Sequence, residues 1–212
     1  MTNSTAQDTP PPEFTNFNDR LRYQTRGLTQ WMGQQGLRLH LHPDTVTILG
    51  LLVVAISAWL ASQGLFFASG IVFLLATPLD ALDGAIARAM NRTSRFGQLL
   101  DSTLDRYADG FIFFGIAYYY AALGQTNTMA VTVAALIGAY LVSYVRARAE
   151  GLGIGSIIKD GIFDRLTRIV ILIVMLLTGW MIPGLILLAV GSHMTAIQRI
   201  LIVYRATRED GN

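Results

Sequence analysis

Two pairs of aspartates carry the spacing in this sequence that could do chemistry. Asp80 and Asp83 are three residues apart and Asp101 and Asp105 four apart, so on helices each pair shares one face. A reversal through residues 91–96 is expected to bring the two helices together and let the four carboxylates converge. Clustered carboxylates repel one another, and near hydrocarbon they also lose hydration. A pair of hard divalent cations, Mg²⁺ or Mn²⁺, offsets both costs, because such ions prefer oxygen ligands and phosphate oxygens can complete their shell. Gly84 and Gly97 leave room for the helices and a nucleotide to approach. The plainer alternative is that these aspartates cap or solubilise helix ends and pair with Arg88, Arg92, Arg95 and Arg106. A surface turn, however, does not require four carboxylates and two glycines in this register. Asp109 continues the i,i+4 series and can either pair with Arg106 or stand beside the site.

The elements that position these groups belong to a very apolar chain. Apolar residues make up 52% of the 212, and the mean hydropathy is +0.45, more than a soluble domain of this size needs. Residues 45–79, 110–145 and 169–198 contain no Asp, Glu, Lys or Arg. Since a membrane span takes about 20 residues, each of these segments reads as a hairpin. The breaks fall at Gln63-Gly64, at Gly124 to Asn127, and between Thr178-Gly179 and Pro183-Gly184. The sequence therefore predicts an all-α integral membrane protein with six spans, near 45–62, 65–90, 98–122, 128–150, 163–178 and 182–206. Residues 1–17, polar and containing Pro10-Pro11-Pro12, read as a disordered tail, and no cleaved signal peptide is expected. Residues 18–38 read as a cytoplasmic interfacial helix, with Gly27 and Gly33 weakening its continuity, and 39–212 as the membrane domain. Asp44, after His42-Pro43, is the expected cap of the first span.

Charge tests this division independently. The basic residues gather in the N-terminal stretch, around the two charged connections and at the C-terminal end, and none lies near the three hairpin tips. By the positive-inside rule both termini and both charged connections are cytoplasmic. Topology thus accounts for the pI near 9.1 better than nucleic-acid binding does. With no cysteine, disulfides and thiolate metal sites are excluded.

Asp80, Asp83-Gly84, Ala87-Arg88, Gly97, Asp101 and Asp105 together resemble the signature of the CDP-alcohol phosphotransferases, with no departure at a fixed position. The six-span reading extends the likeness over most of the chain after about residue 40, and His42-Pro43-Asp44 with Thr47 looks like the family's lead into the first span. The resemblance implies that Asp80, Asp83 and Asp101 are the main metal ligands, and that Asp105 both contributes to the metal site and serves as the catalytic base. It also implies that Arg88 and the Gly84 region contact the cytidine diphosphate, alongside Asp80, Asp83 and Gly97. The physical reading agrees: metal would neutralise the pyrophosphate, Asp105 could take a proton from an attacking alcohol, and no separate nucleophile is evident. The family further implies a multi-pass enzyme of the bacterial cytoplasmic membrane, a homodimer among membrane lipids, acting on CDP-diacylglycerol or a related CDP-lipid.

A second basic cluster bears on the acceptor. Arg146, Arg165, Arg168 and Arg199 fall near one predicted depth and could bind phosphate through charge-assisted contacts. Arginines at cytoplasmic helix ends also serve orientation and lipid contact alone. Local sequence around these residues looks like the phosphatidylinositol-phosphate synthase branch and its archaeal-lipid relatives, which implies a pocket for inositol phosphate. The mycobacterial-type enzyme usually has Lys where this chain has Arg146. The runner-up acceptor is glycerol 3-phosphate, giving phosphatidylglycerophosphate, and the non-enzymatic alternative is a lipid-binding membrane scaffold.

Overall fold

The computed structural model describes residues 27, 31, 33–36, 38, 42–90, 94–155 and 163–209, apart from the side chains at 80, 81 and 209. Among the described residues from 42 onward, six helices follow one another: α1 Pro43–Ser62, α2 Phe66–Ala89, α3 Arg95–Ala122, α4 Thr126–Gly151, α5 Arg165–Thr178 and α6 Met181–Glu209. Each boundary has a local cause. Pro43 occupies the first turn of α1, where its missing N–H costs nothing, and His42 holds the cap position. Asp44 does not cap as expected; it sits in the first turn, where its charge suits the helix dipole. Ser94 accepts the Gly97 N–H at 2.8 Å and so starts α3 three residues before the predicted 98. Asp164 accepts the Thr167 N–H at 2.9 Å and starts α5. The α1–α2 and α3–α4 tips turn on Gly64 and Gly124, both at positive φ.

By length and composition four helices can cross a membrane: α1, α2, α4 and the 181–208 portion of α6. The six predicted spans thus correspond to six helices, of which α3 and α5 fall outside that description. α3 is long but carries Asp101, Asp105, Arg106 and Asp109 within it, and α5 has 14 residues, about 21 Å, against a hydrocarbon core of about 30 Å. Large apolar side chains are exposed on the outside of every helix, Leu52, Leu75, Phe114, Ile137, Val174 and Met194 among them. Such a surface suits lipid and not water. The chain is a membrane protein.

Each helix packs on two others, in the cyclic order α1, α2, α5, α6, α4, α3 and back to α1. Sequence neighbours form the hairpins α1–α2, α3–α4 and α5–α6, and the hairpins are joined at α1–α3, α2–α5 and α4–α6. A glycine stands at each of these joints: a Cβ on Gly70 would lie 2.9 Å from Leu177, one on Gly138 would lie 2.7 Å from His193, and one on Gly115 would collide with the Ala58 carbonyl. Gly115→Val should therefore force α1 from α3 and destabilise the protein by about 1–3 kcal/mol, visible as a lower melting temperature in detergent. A parental melting curve would show that this joint separates freely. Inside the ring, Phe73, Ile112, Phe113, Ile116, Leu172, Met175 and Leu185 form the buried core.

Of the predicted interfacial segment, the described residues 27, 31, 33–36 and 38 are helical. They dock on α2: Gly33 and Gly36 are buried, and a Cβ at Gly33 would stand 2.7 Å from the Ala85 carbonyl oxygen. Gly33 thus permits a close approach where the sequence suggested only a weak point. The rest of 1–41, including the tail expected over 1–17, lies outside the described residues.

Candidate active site

α2 brings the first acidic pair. Pro78 interrupts its hydrogen-bond ladder, since the ring has no N–H to give the carbonyl of Leu74, yet the helix continues to Ala89. Asp80 follows within the helix, with its side chain outside the described residues. One turn on, Asp83 is 5% exposed, and its Oδ2 accepts the Thr47 hydroxyl from α1 at 2.6 Å. A carboxylate so buried needs that donor and further partners to remain ionised.

α3 brings the second pair on a long polar stripe. Ser94, Gln98, Asp101, Asp105 and Asp109 recur at intervals of three or four residues and therefore share a face. Asp105 forms an ion pair with Arg165 of α5 and a longer one, 3.7 Å, with its neighbour Arg106. Asp109 is buried and pairs with Arg168 at 3.3 Å. Here the structure resolves the alternative left for Asp109: its partner is Arg168, and it lies inside the site.

The described portions of α2 and α3 do not pack on each other, although the turn between them was expected to bring them together. Both lean on α1 instead, and the space so left is divided in two. A cleft of about 580 Å³ is lined by Asp44, Thr47, Asp83, Gly84, Arg88, Gly97 and Asp101. A narrow chamber of about 50 Å³ is lined by Thr47, Asp83, Asp105, Asp109 and Arg165 over an apolar floor that includes Val54 and Phe73. Asp83 and Thr47 belong to both and form the junction. Arg88 folds back over Gly84, where a Cβ would lie 3.3 Å from its guanidinium. The cleft is of the size that takes a nucleotide-like ligand, and the chamber admits a small group only.

The donor set suits a hard divalent cation. Asp83, Asp101 and Asp105 offer carboxylate oxygens to the two spaces, in a chain without cysteine. Among the described residues no three acidic or histidine side chains cage an ion by themselves, and the Asp80 side chain is not among those described.

The four arginines assigned to the acceptor do not form a single rim. Arg165 lines the narrow chamber. Arg168 is buried behind it, bound to Asp109 and, at 3.4 Å, to the Phe163 carbonyl. Arg199 is buried and donates to the Val142 carbonyl at 2.6 Å, tying α6 to α4. Arg146 lines neither space; its exposed side chain pairs with Glu150 at 3.0 Å, one turn along α4. Sequence reasoning missed Gln98, whereas Arg106 was among the arginines it offered as partners of the aspartates. Helical period could have found Gln98, three residues before Asp101.

Comparison with known proteins places this geometry. Residues 40–203 match the CDP-alcohol phosphatidyltransferase family. A phosphatidylinositol phosphate synthase of Streptomyces avermitilis is 40% identical, covering 82% of this chain and 76% of that protein. An archaetidylinositol phosphate synthase of Pyrococcus horikoshii is 38% identical, covering 85% and 93%. The crystal structure of the phosphatidylinositol phosphate synthase of Mycobacterium tuberculosis with CDP-DAG bound superposes with a TM-score of 0.76 at 32% identity, covering 83% of this chain and 93% of that one. A second structure of that enzyme, in complex with manganese and citrate, also gives 0.76. With the matched region spanning the acidic pairs, the cleft and the arginines alike, the chain belongs to the CDP-alcohol phosphatidyltransferase family and is a transferase.

Proposed function

We propose that this enzyme transfers a phosphatidyl group from CDP-diacylglycerol to inositol phosphate, releasing CMP, in a reaction that depends on Mg²⁺ or Mn²⁺. The observation that carries the reading is the contact of Arg165 with Asp105 in a chamber that meets the larger cleft at Asp83. A phosphate-binding cation stands next to a candidate base, one carboxylate away from the space suited to a nucleotide. The relatives named above as inositol phosphate synthases support the acceptor, and the neighbour solved with CDP-DAG supports the donor.

Asp80, Asp83, Asp101 and Asp105 would hold the metal, two ions in this proposal, which when bound neutralises pyrophosphate charge and stabilises the leaving CMP. The Gly84–Arg88 wall, with Gly97 opposite, receives the cytidine diphosphate. Arg165, backed by Arg168 and Arg199, receives the acceptor phosphate, and Arg146 joins only by exchanging its partner Glu150. The acceptor oxygen bonds to the β-phosphorus as the bond to CMP breaks, and Asp105 takes the hydroxyl proton. The displacement is direct, with the acceptor hydroxyl itself as the nucleophile. The enzyme works as a homodimer in the bacterial cytoplasmic membrane, crosses it six times and keeps both termini cytoplasmic, an orientation that the placement of the arginines supports.

The test is an acceptor panel. Purified protein with CDP-diacylglycerol and Mn²⁺ should release CMP with inositol phosphate and not with free inositol, serine or glycerol 3-phosphate. Strong turnover with glycerol 3-phosphate and none with inositol phosphate would replace this acceptor by the runner-up. Arg165→Ala should lower acceptor-dependent efficiency roughly ten- to a hundredfold, the loss of one charged contact of about 1.5–3 kcal/mol.

A further inference from the structure

Asp109 has no part in the mechanism above, yet it is 6% exposed and lines the reaction chamber. Its position explains why. The described portions of α3 and α5 do not pack on each other, but two ion pairs cross the interior of the ring between them, Asp105 to Arg165 and Asp109 to Arg168. A step of four residues on α3 rises about 6 Å and a step of three on α5 about 4.5 Å, so the pairs form two rungs of similar pitch.

The rungs differ in their access to water. In the inner one the side chains of Arg168 and Asp109 are 3% and 8% exposed; in the outer one Arg165 and Asp105 are 30% and 10% exposed. Losing either inner partner would strand a buried charge, so that rung is fixed, whereas Arg165 can exchange its carboxylate for another anion. Arg168 is also held from its other side by the Phe163 carbonyl, just before α5 begins.

We infer that Asp109 is a positioning residue for the acceptor: by fixing Arg168 it sets α5 at the distance from α3 that holds Arg165 over Asp105, ready to take the acceptor's phosphate. The inference rests on the proposed role of Arg165 and Arg168 in acceptor binding. A residue that merely held the bundle together would affect both substrates alike. One that sets the arginines affects the acceptor alone, because the cleft is lined by α1, α2 and the first turns of α3 and by no residue of α5.

The experiment measures both KM values for Asp109→Asn and Asp109→Glu in the full chain, using whichever phosphorylated alcohol the parent accepts. Asp109→Asn should raise the acceptor KM about tenfold or more and leave that for CDP-diacylglycerol within about twofold, as expected for one mis-set charged contact. Asp109→Glu should recover part of the loss. Equal changes in both constants, or in neither, would overturn the inference while leaving the proposed function intact. A parent that uses only unphosphorylated alcohols would overturn both. Should Asp109→Asn fail to fold, Asp109→Glu, which keeps the charge but displaces it by one methylene, should by itself raise the acceptor KM and leave that for CDP-diacylglycerol unchanged; parental values for both there defeat the inference.

Discussion

Asp105→Asn is expected to cost about 10²- to 10⁴-fold in turnover, the range for a lost general base, with nucleotide affinity nearly unchanged. The side chain is only 10% exposed, pairs with Arg165 and lines the chamber along with the junction carboxylate Asp83. Asparagine keeps its shape but cannot take the proton. If Asp105 serves only as a metal ligand, raising Mn²⁺ should restore most of the rate, and that restoration would remove it from the base role. Asp101→Asn should behave in the opposite way, weakening metal binding and recovering as metal is added. A melting measurement distinguishes either result from loss of the fold.

For Asp83→Asn the expected loss is in the binding of donor and metal together. Asp83 borders both the cleft and the chamber, where nucleotide and acceptor meet in the proposed reaction. Removing a ligand at that point should reduce kcat/KM by about 10³-fold, corresponding to several kcal/mol of lost charge stabilisation. Calorimetric titration with CDP and Mn²⁺ should show the same defect. Thr47→Val, which deletes only the 2.6 Å hydrogen bond to Asp83, should cost about two- to tenfold. Parental nucleotide affinity in Asp83→Asn would place the metal on other residues.

Much of this was legible before any coordinates. The uncharged runs and their turn residues located six helices within a few residues of those found, because an apolar chain in lipid must satisfy its backbone internally. The spacing of Asp101, Asp105 and Asp109 showed that they share a face. What spacing could not show was the partner across the ring. That Asp109 meets Arg168, and Asp105 meets Arg165, depends on α5 lying opposite α3, a placement made by α2–α5 and α1–α3 packing at Gly70 and Gly115. Arg146 shows the reverse limit: it stands in the last turns of α4, where its side chain pairs with Glu150 one turn on and lines neither space. Hydrophobic period fixes such rotation poorly in a helix whose outer side also faces lipid.

The cyclic order of the helices has a consequence for how the enzyme matures. Each hairpin packs locally, so three pairs can enter the bilayer one after another as the chain emerges. The reaction site cannot form on that schedule. Asp83 comes from the first hairpin, Asp101, Asp105 and Asp109 from the second, and Arg165 and Arg168 from the third. Until α5 docks against α2, Asp109 lacks Arg168 and Asp105 has only Arg106 of its own helix. The proposed site is therefore complete only once the third hairpin is in place.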